Sequence, residues 1–432
     1  MNIVIGIDGG CFRHLNILLQ KGLTPNFKRL IENGFSANLR VTNPPITIPS
    51  WPCTFSGLTP EDLGFYYFTH PDKGLFNSSF WRDKSIFSLI NEKSFIMNVP
   101  GTFPSWKING EMITGMLSPS INCFPSELKL SIQKNWIIDA DNVPESFSAF
   151  KLKSSLFLKK MNEDFKFLAY VIRIPDNLTH RSHGGKERTL SLIYQVYLKI
   201  DKFLGKILEN EQVDNIIIVS DHGLKHYSKG FYIRRWLEKK GILFINTPKP
   251  NKVLNVLLKS FDFIRLFINS SYLRKYFNKF IHLKILESKI KIDEHSIMKI
   301  DQNITRVKNF CSNIGGIILI GKDKRKKAIL LKELLKSPYV DKVISPKSEN
   351  FPDFIVSLKS EYYFCEQSSL FIKRRRDIID HSDIGLFIAY GKNIKSGKDE
   401  FISHQSIAPT LLKLLNIAKP YYMKGEAIDI ID

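Results

Sequence analysis

The apolar run Ile216–Val219 leads, through Ser220, into Asp221-His222-Gly223. The run is mostly β-branched and polar residues bound it, which predicts a buried parallel strand. In open α/β sheets, ligands bind just beyond the carboxyl ends of such strands. A carboxylate beside an imidazole can hold one metal ion there, although an Asp and a His in this place more often form a turn and a helix cap. The metal interpretation therefore needs support from other strand ends.

The start of the chain offers a second strand end of this kind. Ile3–Ile7 predicts a strand that delivers Asp8 to its carboxyl end. Gly9-Gly10 allow a tight turn and a close backbone approach directly after it. The alternative role for Asp8 is that of a helix N-cap.

Two later segments add imidazoles. Phe165–Ile174 predicts another strand, followed by Asp176 and His180 at i, i+4 spacing, which places both side chains on one side of a helical turn. His183 is nearby but less well spaced. His381 lies just before a further predicted strand; a single histidine is usually structural, but this one could complete a metal-binding set.

The order of strands and helices predicts the fold class. Strands and amphipathic helices alternate along most of the chain, which is typical of an α/β protein with a mostly parallel sheet flanked by helices. We assign residues 1–246 to the first part of a catalytic core and 301–432 to its second part. Residues 247–300 are predicted to form a helical, basic insert. A folded cap that shapes a substrate pocket is preferred there over a membrane-surface helix.

The proline-rich stretch 43–52 supplies candidate nucleophiles. Its four prolines predict an extended backbone that stays out of helix. The hydroxyls available in it are Thr47 and Ser50. A hydroxyl becomes a good nucleophile when a base or metal lowers its pKa. A purely structural loop is the alternative interpretation of this stretch.

Composition indicates the size of the core, the charge of the partners and the cellular location. The chain has 432 residues, of which 43% are hydrophobic, enough for a large core. The formal net charge of +21 favours acidic partners such as phosphorylated substrates, although a lysine-rich surface alone would also produce it. No apolar run is long enough to span a bilayer, and the N-terminus does not resemble a signal peptide. The five scattered cysteines are typical of reduced thiols, so we expect a cytoplasmic protein.

Together, the predicted strand ends near Asp8, Asp176, Asp221 and His381 provide three carboxylates and three imidazoles. One ion could take Asp176, His180 and His381, and a second could take Asp8, Asp221 and His222. Two sites of nitrogen and oxygen ligands with open positions suit zinc. Paired ions about 4 Å apart can stabilise both oxygens of an in-line phosphoryl displacement. The sequence therefore predicts two divalent metal ions, most consistent with zinc.

Eight segments resemble one known family, the type I phosphodiesterase/nucleotide pyrophosphatase branch of the alkaline phosphatase superfamily. They follow the family's order from one end of the core to the other, and the 247–300 insert has no counterpart. The segments are IGIDGG at 5–10, GLTPNFKRLIENG at 22–34, PPITIPSWPCTFSGLTPEDLG at 44–64, NVPGTFPSWKINGEMITGMLSPS at 98–120, PDNLTH at 175–180, SDHG at 220–223, HSDIGLFIAYG at 381–391 and IAPTLL at 407–412.

The resemblance implies an alkaline-phosphatase-like fold and assigns roles to residues. It implies that Asp8, Asp221 and His222 hold one metal beside the nucleophile. It implies that Asp176, His180 and His381 hold the other. The hydroxyl that aligns with the family's nucleophile is Thr47, with Ser50 as the fallback.

The chain also departs from the family pattern. It has Leu63-Gly64 where the family usually has His-Gly. Phe68 falls where the nucleotide pyrophosphatases carry an asparagine that contacts the phosphoryl group, so nucleotide specificity is not supported. The cysteine- or serine-containing motif of the sulfatases is absent.

These patterns predict a metal-dependent phosphoric-ester hydrolase that acts through a phospho-threonine intermediate. The expected substrate is a phosphorylated small molecule or a phosphodiester, and nucleic acid is not specifically indicated. A phosphotransferase of the same fold, in which an alcohol replaces water, is the alternative activity. A non-catalytic basic binding protein is the alternative class, although it would have no need of clustered carboxylates. Peripheral membrane contact through the insert is the less favoured partner prediction.

Overall fold

The computed structural model of the chain describes eleven stretches of sequence. They are residues 1–70, 72–132, 136–182, 185–240, 245–246, 299–300, 305–311, 314–319, 324–346, 352–364 and 378–431. The predicted helical cap at 247–300 lies outside these residues, apart from the short strand Lys299–Ile300, which pairs with Ile245–Asn246. The domain boundaries at 246 and 300 therefore stay predictions.

A nine-stranded mixed sheet forms the centre of the molecule. Its five central strands are all parallel, and antiparallel partners occur towards both edges. In spatial order the strands are Gly397–Ser403, Phe35–Arg40, Ile384–Gly391, Asn215–Val219, Asn2–Ile7, Phe167–Ile172, Ser94–Val99, Gly110–Thr114 and Cys123–Phe124. The predicted mostly parallel α/β sheet is confirmed.

Helices pack on both faces of this sheet. Strand residues alternate between the two faces, so that Ile3, Ile5 and Ile7 enter one apolar core while Val4 enters the other. The described α-helices are Phe12–Gln20, Pro25–Asn33, Thr47–Ser56, Pro60–Leu63, Ile86–Leu89, Val143–Lys160, Ile174–Arg181, Gly185–Leu208, Ile233–Lys239, Lys324–Lys336 and Ile407–Leu414. No described helix has both the length and the apolar character needed to cross a membrane.

The proline-rich stretch corrects one prediction. We expected it to stay extended, but a helix runs from Thr47 to Ser56, interrupted only by the non-helical φ and ψ of Ile48. Pro49 lies in the first turn, where helical hydrogen bonds do not need an N–H donor, whereas Pro52 lies inside the helix, four residues after the break at Ile48. Extended backbone persists at Ile48, whose φ and ψ are −116° and 119°, and the candidate nucleophile Thr47 lies at the helix start just before it.

This helix packs directly on the central strand. Gly6 faces the indole of Trp51, and a Cβ atom built on Gly6 would lie 2.5 Å from Trp51 Cη2 and 2.8 Å from Val171 Cγ2. Trp51 is fully buried, so its ring cannot move out of the way without disturbing the core. The absence of a side chain at Gly6 thus sets how closely the helix approaches the sheet.

Gly6→Ala should consequently destabilise the protein by about 1–3 kcal/mol, because the extra methyl group overpacks this contact. The control is Gly397→Ala in the edge strand, where the nearest atom to the added Cβ is Phe35 Cδ2 at 3.4 Å. Urea unfolding of both variants measures the effect. Equal stabilities for the two variants would show that the helix can shift to accept a methyl group.

Smaller sheets surround the main one. A two-stranded antiparallel ribbon pairs Gly223–Tyr227 with Ile378–Ser382. A four-stranded antiparallel sheet has the order Thr305–Cys311, Ile314–Leu319, Phe354–Leu358 and Val340–Ile344. Two short pairs complete the described strands, Thr69–His70 with Gly74–Leu75 and Lys229–Phe231 with Tyr362–Phe364. The ribbon matters most for function, because it carries His381 back to the edge of the main sheet that Asp221 occupies.

Candidate metal centre and active site

Asp8 and Asp221 lie at the same edge of the main sheet. They follow the neighbouring parallel strands Asn2–Ile7 and Asn215–Val219, whose residues pair in register up to Gly6 and Val219. Both side chains are fully buried. The backbone N–H of Gly9, in the tight turn after the first strand, donates to Asp221 Oδ1 at 3.3 Å. The turn that the glycines predicted thus joins the two strand ends.

His222 completes this first group. Its Nε2 atom lies 3.3 Å from Asp8 Oδ1 and 3.4 Å from Asp221 Oδ2. Its Nδ1 atom lies 3.1 Å from the carbonyl oxygen of Gly223, which can only accept, so Nδ1 donates that hydrogen bond. With Nδ1 as the donor to Gly223, Nε2 is the ring nitrogen that faces the two carboxylates and is placed to bind a metal.

Three atoms of this first group lack hydrogen-bond partners among the described residues. They are Asp8 Oδ1, Asp221 Oδ2 and His222 Nε2, all fully buried. Buried polar atoms in native proteins are nearly always paired, so three of them converging on one point require a common partner. Two carboxylate oxygens and an imidazole nitrogen match the ligand set of a divalent cation.

Asp176, His180 and His381 form the second group. The helix Ile174–Arg181 carries the first two, and Asp176 Oδ1 lies 3.2 Å from His180 Nε2. His381 Nε2 reaches the same oxygen at 3.0 Å and lies 3.2 Å from His180 Nε2. The i, i+4 spacing in the sequence therefore produced the predicted contact.

His381 also joins the two groups. Its Nδ1 donates to the carbonyl oxygen of Pro45 at 3.0 Å, which fixes the ring. The ring stacks on that of His222 with their centroids 3.8 Å apart. His222 and Asp176 also come within ligand distance of one another. All six predicted ligand residues thus meet in one cluster, although their roles as ligands remain a prediction.

The electrostatics of the two groups differ. Burial acts to raise the pKa of Asp176, but the charges of His180 and His381 outweigh it and hold that pKa well below its usual range. Burial also acts to lower the pKa of His381, but Asp176 and Asp380 raise it to about 9. For Asp221, burial and the charges of Asp8 and Asp176 both raise the pKa well above its usual range. The first group is therefore the one that most needs a cation.

Thr47 lies in the wall of a cavity of about 280 Å³ beside these groups. Asp176, His180 and His381 line the same cavity. Ser50 is fully buried and does not line it, and Ser50 Oγ has no hydrogen-bond partner among the described residues. Of these two hydroxyl residues, Thr47, itself 2% exposed, is thus the one that lines the cavity.

The sequence interpretation missed two residues of the cluster. Arg173 is buried and contacts the carboxylates of Asp8 and Asp176. Asp380 comes within ligand distance of His180 and His381. Asp380 could have been noticed because it directly precedes His381, whereas Arg173 lies inside the predicted strand Phe165–Ile174 and belongs to no motif. His183, the less well spaced histidine, lies outside the described residues.

The cavity wall also carries the departures from the family pattern. Phe68, which falls where an asparagine is usual, lines the cavity together with Tyr67 and Met116. Leu63 is buried in the core beneath it. Tyr67 and Phe68 therefore give this part of the cavity wall an aromatic lining.

A model of the type I phosphodiesterase / nucleotide pyrophosphatase family matches residues 2–375. The match spans most of the chain, so this protein belongs to the type I phosphodiesterase / nucleotide pyrophosphatase family. It is a hydrolase of that family, as the resemblance of the eight segments predicted. No curated protein matches the chain by sequence.

Several solved structures are similar to this chain. Murine ectonucleotide pyrophosphatase / phosphodiesterase 5 has a TM-score of 0.58 and 13% identity, covering 96% of this chain and 95% of its own. The same values hold for an inactive variant of that murine protein in complex with AMP. Phosphonoacetate hydrolase from Sinorhizobium meliloti 1021, in complex with phosphonoformate, has a TM-score of 0.54 and 12% identity, covering 90% and 89%. These likenesses confirm the predicted alkaline-phosphatase-like fold.

Proposed function

We propose that this hydrolase uses two divalent metal ions, most consistent with zinc, and Thr47 as its nucleophile. The observation that carries the proposal is the convergence of three buried atoms that have no hydrogen-bond partner among the described residues, Asp8 Oδ1, Asp221 Oδ2 and His222 Nε2, next to the second ligand group, whose residues line the same cavity as Thr47. Asp8, Asp221 and His222 would hold one ion, and Asp176, His180 and His381 the other. Ligand sets of imidazole nitrogen and carboxylate oxygen suit zinc.

The proposed reaction proceeds in two displacements. Bound ions would stabilise charge on the transferring phosphoryl group and lower the pKa of a nearby hydroxyl. Thr47 Oγ1 forms a bond to phosphorus while the bond from phosphorus to the leaving-group oxygen breaks, which gives a phospho-threonine. Water then displaces Thr47 and releases the phosphate product. The helix that begins at Thr47, packed on Gly6 through Trp51, holds the hydroxyl in place for both steps.

The cavity suggests the class of substrate. Its wall combines Arg181 with the aromatic side chains of Tyr67 and Phe68, which suits a phosphate ester with a flat, apolar leaving group. The complex of the murine relative with AMP makes nucleotide esters the first class to examine. The missing asparagine argues against a strict requirement for nucleotides, so aryl phosphodiesters should also react.

Chelation tests the metal part of this proposal. We expect hydrolysis of bis(p-nitrophenyl) phosphate to fall at least about 100-fold after treatment with a chelator, because the ions carry the charge stabilisation. Zinc added back to the chelated protein should restore the rate. AMP and p-nitrophenyl phosphate in the same assay distinguish monoester from diester preference. Full activity in protein shown by elemental analysis to be metal-free would contradict the proposal.

Two further parts of the sequence interpretation remain predictions. They are the cytoplasmic location and the role of the 247–300 insert in shaping the substrate pocket. Cell fractionation tests the first, and kinetics of an insert-deleted protein across a panel of esters test the second.

A further inference from the structure

Arg173 occupies the centre of the carboxylate cluster. It lies between the strand Phe167–Ile172 and the helix Ile174–Arg181, and its side chain is 7% exposed. The guanidinium contacts three carboxylates at once, those of Asp8, Asp139 and Asp176. Asp8 and Asp176 belong to different candidate metal sites, so this one side chain touches both.

The atoms involved show what the contact does. Arg173 Nε donates to Asp8 Oδ2 at 2.9 Å, and Arg173 Nη2 donates to Asp176 Oδ2 at 3.4 Å. The other oxygen of each carboxylate faces imidazole: Asp8 Oδ1 faces His222, and Asp176 Oδ1 faces His180 and His381. Arg173 therefore fixes one oxygen of each carboxylate and leaves the other oxygen directed at a candidate metal site.

An outer contact holds the guanidinium in turn. Arg173 Nη1 donates to Asp139 Oδ1 at 2.8 Å, and the Asp139 side chain is 33% exposed. A planar guanidinium can donate in three directions in a fixed geometry, which the single ammonium of a lysine cannot. The arrangement thus forms a rigid path from a surface carboxylate through Arg173 to both groups of ligands.

We propose that Arg173 is a positioning residue that orients Asp8 and Asp176 for metal binding and thereby couples the two metal sites. The inference rests on the proposed two-metal function and adds a residue that acts through the ligands. Groups that hydrogen-bond to metal ligands in this way typically change metal affinity 10- to 100-fold when removed.

Charge alone would give the opposite result, which makes the inference testable. Arg173 is a cation next to two carboxylates, so removing it should favour the binding of a divalent cation if electrostatic attraction dominated. If positioning dominates, removing it should weaken binding, because Asp176 Oδ2 loses its Arg173 donor and Asp8 Oδ2 keeps only the longer contact from Trp51 Nε1 at 3.4 Å. The direction of the change in metal affinity therefore distinguishes the two effects.

The experiment is calorimetric titration of zinc into metal-free protein, with elemental analysis after dialysis. We expect two zinc ions for the wild type, and for Arg173→Met an affinity about 10- to 100-fold lower at both sites. Arg173→Lys keeps the positive charge but loses the fixed geometry that lets one side chain donate to three carboxylates. It should therefore lower the zinc affinity of at least one site. Unchanged or tighter binding in Arg173→Met, or weakening of one site alone, would overturn the inference.

The matched control is Lys160→Met. Lys160 is also a buried cation that bridges two carboxylates, Glu111 at 2.7 Å and Glu163 at 2.9 Å, neither of which belongs to the candidate metal centre. The Lys160→Met substitution should lower thermal stability without altering zinc affinity. If Arg173→Met does not fold, Asp139→Ala removes the oxygen that accepts from Arg173 Nη1 and should weaken both sites to a smaller extent; unaltered affinity in that variant would overturn the inference. A wild type that binds fewer than two ions would instead refute the two-metal function itself.

Discussion

Replacement of Thr47 by alanine should reduce turnover of phosphate esters at least about 1,000-fold, while metal content and thermal stability stay at wild-type values. The loss follows because no other hydroxyl of the helix Thr47–Ser56 lines the cavity beside the candidate metal centre. Stability should hold because the change removes only the hydroxyl and one methyl group, from a side chain that lines a cavity at the start of a helix. The measurements are kcat on an aryl phosphodiester, elemental analysis and thermal unfolding.

Ser50→Ala is the control for this experiment. Ser50 lies on the same helix three residues later, is fully buried, and is absent from the cavity wall. Its substitution should leave kcat within about threefold of wild type, as is typical for removal of a hydroxyl that touches no substrate. Retained activity in Thr47→Ala together with lost activity in Ser50→Ala would show that the nucleophile is Ser50 and not Thr47.

Asp221→Asn should have opposite effects on activity and on the stability of the metal-free protein. The buried Asp221 carboxylate lies among Asp8 and Asp176, and burial and these two charges raise its pKa well above the usual range. Asparagine removes the charge and keeps an oxygen to accept the hydrogen bond from Gly9. We therefore expect the free energy of unfolding in chelator to rise by about 1–3 kcal/mol, and turnover with zinc present to be lost.

Denaturant unfolding at neutral pH, with and without zinc, measures this trade-off. Asp201→Asn is the matched control, because Asp201 is a buried carboxylate that accepts hydrogen bonds from the Phe27 backbone N–H and the Asn26 side chain. No carboxylate contributes to the raised pKa of Asp201, so its substitution should not stabilise the protein. A metal-free Asp221→Asn protein less stable than wild type would show that the cluster is not under charge repulsion.

The sequence predicted the ligand cluster because its geometry follows from simple rules. Parallel strands end at the same edge of a sheet, so Asp8 and Asp221 had to lie close together once both were assigned to strand ends. The i, i+4 spacing of Asp176 and His180 needed only one helical turn. The contact of Asp176 with His180 depends on a local spacing, and the approach of Asp8 to Asp221 depends on the rule that parallel strands end at one edge of the sheet.

His381 shows where such rules become insufficient. It precedes the strand Ile384–Gly391, which runs antiparallel to Asn215–Val219, so the start of that strand lies at the edge where the parallel strands end. The alternation of elements did not reveal this reversal of direction. The residues alone made His381 one candidate for the metal-binding set, and the resemblance of HSDIGLFIAYG to the family then implied that role.

The misses have a common physical cause, which is tertiary packing. Prolines disfavour helix in general, but Pro49 lies in the first turn, Pro52 lies four residues after the break at Ile48, and Trp51 gains full burial against Gly6. Arg173 matters only because three carboxylates from separate parts of the chain surround it. Neither arrangement leaves a periodic or local signal in the sequence.

The central claim is that two metal ions bind between the six predicted ligands. Anomalous diffraction at the zinc absorption edge, from crystals of zinc-loaded protein, tests it most directly. We expect two peaks about 4 Å apart, one among Asp8, Asp221 and His222 and the other among Asp176, His180 and His381. A single peak, or peaks elsewhere in the molecule, would contradict the two-metal account.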